Sequence, residues 1–288
     1  MTAWETETIR DLMLDAGRLA LEYYDDPGTE RKEDRSLVTV ADHAIENYLT
    51  EKLVGHDGIY GEGPFLIGEE TVSDLTGDAS RNALSGVAWV VDPIDGTAGY
   101  ANHLPTWGIS VGRMEGGRLT DGALFLPCSG ELLITDGSRV LYEQGSRDSS
   151  RWNFERLRPL APVERGYSST GMVSLPLEIS RGGSFSGRNP MQANGSAVYS
   201  LVHLVLGGYL AYVARIRLWD IAGAIPILRR LGYLLVRGDG KQLGETIVPD
   251  DWFLDPRDPN VWKCRHILSI AGDAETVEYM LRHYHPVR

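Results

Sequence analysis

Residues 89 to 97 read WVVDPIDGT: an apolar run that ends in two aspartates three positions apart, with a proline between them and a Gly-Thr behind. Read as a strand, the run delivers Asp92 at its C-terminal end, and Pro93 fixes one φ and removes one N–H donor, which stiffens the turn. Asp95 follows after one more apolar residue. Gly96 then lets the backbone turn sharply, so that its N–H and that of Thr97 point outward beside the carboxylates. Oxygen ligands hold a hard divalent cation and outward N–H groups hold an anion, so the segment suits a cation bridging to phosphate. Asp-Pro and Asp-Gly are also ordinary turn dipeptides, and the segment alone does not separate the two readings.

Two further acidic sites tip the balance. GEE at 68 to 70 ends the apolar run FLI and places Glu69 or Glu70 at a strand terminus. WD at 219 to 220 opens the apolar segment IAGAIPIL, which puts Asp220 at the N-cap of a helix, where capping alone would account for it. Three distant segments thus repeat one plan, an acidic residue delivered to a loop or turn at the edge of an apolar element. Several carboxylates brought together repel and take up protons unless cations compensate them, so the plan is that of an oxygen-ligand metal cluster.

The rest of the chain supplies both helices and strands. Ile9, Leu12, Met13, Ala16, Leu19, Ala20 and Tyr23 recur at helical spacing before DDPG, which predicts an opening amphipathic helix. Ile45, Leu49 and Leu53 predict a second from about Ala41 to Leu53, with the charged loop RKEDRSLVTV between the two. From Ile59 to Glu143 the runs FLIG, VAWVV, WGISVG, GALFL and ELLIT predict a largely antiparallel sheet. The polar stretch GSRDSSRW at 145 to 152 is the expected lobe boundary, dividing an α+β lobe at 1–145 from an α/β lobe at 146–288. In the second lobe helices are expected near 196–206, 221–231 and 274–283, with strands near 209–214 and at GYLLV.

Composition narrows the function. Forty acidic against 28 basic residues give a formal charge of −12, which argues against nucleic-acid and polybasic membrane partners and makes cations the natural ones. Cys128 and Cys264 form no CxxC pair, so neither a disulfide framework nor a thiolate zinc site is expected, and a reducing cytosol fits. The acidic start MTAWETETIRDLM does not read as a signal peptide, and the mature chain is expected to begin there. SLVHLVLGGYLAYVA at 200 to 214 is broken by Gly207 and Gly208 and reads as a buried helix followed by a strand rather than a membrane span.

KEDRSLVTVAD (32–42), LIGEE (66–70), WVVDPIDGT (89–97), LPTWGISVG (104–112), NGSA (194–197) and LWDIAGA (218–224) together resemble the signature of the inositol monophosphatase family, within the superfamily of Mg2+-dependent, lithium-sensitive phosphatases. DPIDGT and WDIAGA are the specific part. The resemblance implies an α+β fold, a layered αβαβα sandwich of the inositol monophosphatase and fructose-1,6-bisphosphatase type, with the site between its lobes. It implies two or three Mg2+ ions: Glu69, Asp92 and the Ile94 carbonyl on one, Asp92, Asp95 and Asp220 on a second, and a weaker third leaning on Glu69 through water. Glu69 and Thr97 would orient and help deprotonate the attacking water, with Asp42 in the same acidic network. Gly96, Thr97, Gly195 and Ser196 would offer donors to phosphate oxygens. A homodimer is the family's common assembly.

The departures concern the substrate. After DGT the chain reads AGY, which matches neither the animal inositol nor the nucleotide subclass, and YVARIRLWD lacks the Glu that contacts inositol hydroxyls in animal enzymes. Arg215 and Arg217 could instead contact a second phosphate or a carboxylate; pairing with acidic neighbours is the plainer alternative. Lys32 and Asp34 resemble positions in relatives acting on histidinol phosphate and nucleotide phosphates. The reading is a phosphomonoesterase for an inositol monophosphate-like metabolite, with histidinol-phosphate, sugar-bisphosphate and 3'-phosphonucleotide hydrolysis as alternatives on the same scaffold. An alternative of another class is a regulatory protein that keeps the metal site.

Overall fold

The computed structural model describes residues 1–31, 37–55, 63–71, 77–148, 151–154, 156–163 and 166–287. Helix α1 (Thr6–Glu22) buries Ile9, Leu12, Met13, Ala16 and Ala20 along the predicted stripe. Strands β1 (Thr29–Arg31) and β2 (Leu37–Thr39) pair antiparallel and lead into α2 (Val40–Leu53). That helix starts at a capping box: the Asp42 amide donates to the Thr39 hydroxyl at 3.4 Å, and the Thr39 N–H donates to the Asp42 carboxylate at 2.8 Å.

Next come β3 (Phe65–Gly68), α3 (Gly77–Ser85), β4 (Val87–Asp95), α4 (Thr97–Ala101), β5 (Gly108–Glu115), β6 (Arg118–Leu126), β7 (Glu131–Asp136), β8 (Arg139–Asp148), β9 (Arg151–Phe154) and β10 (Arg158–Pro159). They form one sheet in the order β10-β8-β7-β6-β5-β4-β3, with β9 paired to β8. Only β3 with β4 runs parallel; the other pairs are antiparallel, as the run of short strands predicts. The sheet continues past residue 145 through β9 to Pro159. VAWVV reads as unbroken apolar because both faces are covered: Trp89 and Val91 pack in the core with α1 and α2, while Ala88 and Val90 pack in the core with the later helices.

The second half holds β11 (Val173–Ser174), a 3-10 turn (Leu177–Arg181), β12 (Ser184–Phe185), β13 (Met191–Gln192), α5 (Ala197–Val205), β14 (Ala211–Ala214), α6 (Leu218–Ala222), α7 (Ala224–Arg230), β15 (Leu234–Arg237), β16 (Leu268–Ala271), α8 (Ala274–His283) and β17 (Tyr284–His285). A second sheet runs β13-β11-β14-β16-β15, and β12 pairs with β17. Helices α5, α6 and α7 lie between the sheets, sharing a core with Val90 and Leu124 on one side and Leu235 and Ile270 on the other. Being covered on both sides, α5 is apolar nearly all round, with Val198, Leu201, Val202, Leu204 and Val205 buried. Helix α8 closes the outer face through Val277 and Met280. The layers are α, β, α, β, α.

The helix expected at 221–231 is two helices, and Pro226 explains the break. Pro226 lacks an N–H donor and is accommodated because it falls in the first turn of α7. Gly223, at the junction, is pressed onto the large sheet: a Cβ on Gly122 would lie 1.9 Å from the Gly223 carbonyl oxygen, and one on Gly112 would lie 2.7 Å from the Ala222 carbonyl carbon. Glycines in β5 and β6 therefore let α6 sit close on the sheet, and α6 carries Asp220.

Candidate metal and phosphate site

Side chains two apart on a strand share a face, so Asp92 and Asp95, three apart, would ordinarily point to opposite sides. The pairing with β5 shows what reconciles them: Asp92 faces Ser110 and Asp95 faces Gly108, three residues on β4 against two on β5. This bulge, located at the Pro93 that cannot donate to a ladder, brings both carboxylates to one place. Gly96 follows at φ +94, and a Cβ there would stand 2.8 Å from the Ser196 Cβ and 2.9 Å from the Thr106 carbonyl oxygen. Only glycine meets both the conformation and the space.

Thr97 opens α4, and its hydroxyl lies 3.3 Å from Asp42 Oδ1 and 3.2 Å from the Ile94 carbonyl oxygen. Asp42 is fully buried, with its other oxygen held by the Thr39 cap. Asp95 is gripped from α5: its Oδ2 accepts the Ser196 hydroxyl and the Val198 N–H, the latter at 2.6 Å. Asp220 sits in the third position of α6 rather than at the N-cap that the sequence suggests, and its Oδ2 accepts the Arg217 N–H at 2.7 Å. The bond is therefore the reciprocal one of a capping box: the carboxylate reaches back from within the helix to the N–H of the N-cap residue.

Asp92, Asp95 and Asp220 each offer an oxygen within 4.8 Å of the others, a set that could hold a metal ion. Burial, followed by the charges of Glu69, Asp95, Asp220 and Asp42, pushes the Asp92 carboxyl well above the ordinary range. Burial raises Asp95 to about 6 against the bonds from Ser196 and Val198, and burial and Asp95 raise Asp220 to about 7 against the Arg217 N–H and charge. Both Asp92 oxygens are buried with no hydrogen-bond partner among the described residues. A desolvated carboxylate among like charges is destabilising unless a cation meets it, and an all-oxygen set fits a hard divalent ion. Glu69 stands in the turn just after β3, outside the three-carboxylate cluster but close enough to bear on Asp92.

Beside the carboxylates lies a cleft of about 170 Å³, with Asp95 and Asp220 on one side and Asn194, Gly195, Arg215 and Leu177 among its walls. Gly195 has φ +80. Ser196 N–H donates to the Asn194 side chain at 2.8 Å and its hydroxyl goes to Asp95, so Ser196 braces the site from behind. Arg215 pairs with Glu178 at 2.9 Å. Lys32 and Asp34 lie outside the described residues. The chain after α4 turns at His103 with φ +56.

Two residues escaped the sequence reading. Tyr212 lines the cleft, and its phenol is pushed far up by burial and by Asp95 and Asp220. Glu46, buried one turn beyond Asp42, accepts the Glu70 N–H at 3.0 Å and lies so tight on β3 that a Cβ on Gly68 would fall 2.5 Å from its carboxyl carbon. The i, i+4 spacing of Asp42 and Glu46 on one helix face was the available signal.

Residues 5–266 match the model of the inositol monophosphatase family. The chain belongs to this family. An inositol-1-monophosphatase, ImpA, of Mycolicibacterium smegmatis is 29% identical over 217 residues, covering 70% of each chain. The Nus factor SuhB of Xylella fastidiosa is 26% identical over 152 residues, so the match spans about half of that relative, 53% of its length and 51% of this chain. The solved Thermotoga maritima inositol monophosphatase superposes with a TM-score of 0.67 at 19% identity, covering 94% of both chains, which establishes the inositol monophosphatase fold. Such family members are phosphoric monoester hydrolases, and the acidic cluster falls on the motifs that carried the resemblance. Among the described residues no helix is long and apolar enough to cross a membrane.

Proposed function

We propose that this chain is a Mg2+-dependent phosphomonoesterase that hydrolyses a small phosphorylated metabolite by direct attack of water, with no phosphoenzyme, as a cytosolic homodimer. Asp92 carries the reading: two buried oxygens without a hydrogen-bond partner among the described residues, amid the charges of Glu69, Asp95, Asp220 and Asp42. Membership of the inositol monophosphatase family links that need for a cation to phosphoester substrates. Asp92, Asp95 and Asp220 would hold Mg2+, with Glu69 and the Ile94 carbonyl as further oxygen ligands for a second or third ion. When bound, Mg2+ supplies charge neutralisation to the transferring phosphoryl group.

The chain's own residues bind and orient. Thr97, tethered to Asp42 and the Ile94 carbonyl, aligns the attacking water, and Glu69 accepts its proton. Gly96 and Gly195, both at positive φ, make the turns that would aim backbone N–H groups at a phosphate. The N-terminal end of α5 adds a favourable dipole. Arg215, which lines the same cleft, would contact the substrate.

The test is phosphate release from inositol 1-phosphate, histidinol phosphate, fructose 1,6-bisphosphate and 3'-phosphoadenosine 5'-phosphate, with Mg2+, with EDTA, with added lithium, and with Asp95→Asn. Turnover of one substrate that EDTA and the variant abolish names the activity. Failure of every substrate despite calorimetric Mg2+ binding would pass the site to a regulatory role.

A further inference from the structure

The substrate class follows from a cationic face beside the cleft, an inference that rests on the phosphatase reading above. Residues 215 to 218 run antiparallel to 262 to 264: the Leu218 N–H donates to the Trp262 carbonyl at 2.7 Å, the Cys264 N–H donates to the Ile216 carbonyl at 2.9 Å, and Arg217 is paired with Lys263. Burial alternates along both segments. Ile216, Leu218, Trp262 and Cys264 are buried, while Arg215 is exposed and Arg217 and Lys263 are half-buried. Residues two apart on a strand share a face, and directly paired residues across strands do too, so the three cations stand together.

Like charges directly opposite one another are destabilising, and the carboxylates that offset them are Glu178, which bears on Arg215 and Lys263, and the metal-cluster Asp220, which bears on Arg217. Among the described residues the only carboxylate in an ion pair with this face is Glu178, on Arg215. The Lys263 ammonium is pushed below the ordinary lysine value by burial and then by Arg215 and Arg217. Arg217 is held in place, its guanidinium 5.4 Å from the centre of the Trp219 ring and donating to the Val261 carbonyl at 3.2 Å. On a chain with a formal charge of −12, three cations gathered beside an anion-handling cleft call for a ligand. Arg215 joins the two, since it lines the cleft together with Asp95 and Asp220.

We propose that Arg215, Arg217 and Lys263 form a second anion subsite, which takes a phosphate or carboxylate of the substrate other than the phosphoryl group being hydrolysed. Glu178, held by the Tyr284 hydroxyl, is its internal counter-ion and competes with the ligand for Arg215. The substrates are thus small phosphate esters with a second anionic group, and neutral polyol phosphates are poorer.

The test compares kcat/KM, with Mg2+ present, on matched pairs: propane-1,3-diol bisphosphate against its monophosphate, and 3-phosphoglycerate against glycerol 3-phosphate. The doubly anionic partner is expected to win by about tenfold to hundredfold, the range for charge-assisted contacts, and the pair with the larger gain tells phosphate from carboxylate. Arg215→Ala and, independently, Lys263→Ala should bring the ratio close to one, and Glu178→Gln should raise it, an increase no loss of structure would produce. Equal kcat/KM within both pairs, or ratios unmoved by Arg215→Ala and Lys263→Ala, would overturn the subsite while leaving the phosphatase reading intact. Release of phosphate from none of these four by an enzyme that turns over a member of the panel above would overturn the subsite alone, and release from neither set would overturn the phosphatase reading with it.

Discussion

Asp95, at the end of β4, accepts the N–H of Val198, in the first turn of α5, at 2.6 Å across 103 residues of chain. The same oxygen takes the Ser196 hydroxyl. One carboxylate of the acidic cluster is therefore also the tie between the large sheet and the helix layer behind the cleft, so stability and function meet at one atom.

Ser196→Ala tests that tie. The hydroxyl also accepts the Tyr199 N–H at 3.0 Å as the N-cap of α5, so the substitution removes a cap and an Asp95 partner together. Loss of an N-cap costs about 1 kcal/mol and a bond to a charged group somewhat more, so urea denaturation should show a loss of about 2 kcal/mol. Because the Ser196 bond holds the Asp95 pKa down, the variant should also need a higher pH for half-maximal activity.

The metal-free chain should lose stability as pH rises. Asp95 at about 6, Asp220 at about 7 and Glu46 at about 7 are raised above their ordinary values, in each case by burial first. Between those ordinary values and the raised ones these groups bind more protons in the folded chain than in the unfolded one, so their contribution to stability is full below about pH 4 and is lost through about pH 7. Melts in EDTA should give a lower Tm at about pH 8 than at about pH 5, with excess Mg2+ restoring more at the higher pH; ligand at a hundredfold excess over Kd adds about 3 kcal/mol. A flat EDTA profile would contradict the clustering.

Much of this was legible in the residues, and the failures share a cause. Helix α8 falls at Ala274–His283 as periodicity predicts, and two of the three acidic segments meet in one cluster, with Glu69 near enough to bear on Asp92. Asp220 was misplaced on α6 because an Asp before an apolar run looks the same at the N-cap and at the third position, and only the Arg217 N–H decides. The close seat of α6 on the sheet depends on Gly122 in a strand a hundred residues earlier, a contact no local pattern encodes. Glu46 was passed over because its spacing from Asp42 does not say that β3 will cover that face of the helix.

Gly122→Ala should be among the most damaging single-methyl additions in the chain. Its Cβ would meet the Gly223 carbonyl at 1.9 Å, and the obstacle is backbone that cannot rotate away. Overpacking of this kind costs about 1–3 kcal/mol or more, and relief requires lifting α6 and Asp220 off the sheet. Gly137→Ala is the control: φ is +56 but nothing lies within 4 Å, so about 1–2 kcal/mol of strain and unchanged activity are expected. Comparable stability and Mg2+ affinity for the two variants would refute the account of why α6 lies so close.

Asp92→Asn separates what the site does for the fold from what it does for the ligand. Asp92 is 1% exposed, neither oxygen has a hydrogen-bond partner among the described residues, and four carboxylates act on it. The amide removes one repelling charge and brings N–H donors to neighbours that are acceptors. In EDTA the variant should therefore be more stable than the parent, by about 1–3 kcal/mol, at alkaline pH where the parent carboxyl is ionised, since a buried unpaired charge is then removed at nearly constant volume. The Mg2+-dependent rise in Tm should vanish, and turnover should fall by about a hundredfold or more, as loss of several kcal/mol of charge stabilisation requires. A purely structural carboxylate predicts the reverse, a less stable protein whose activity survives, so calorimetry in EDTA and one rate measurement decide between them.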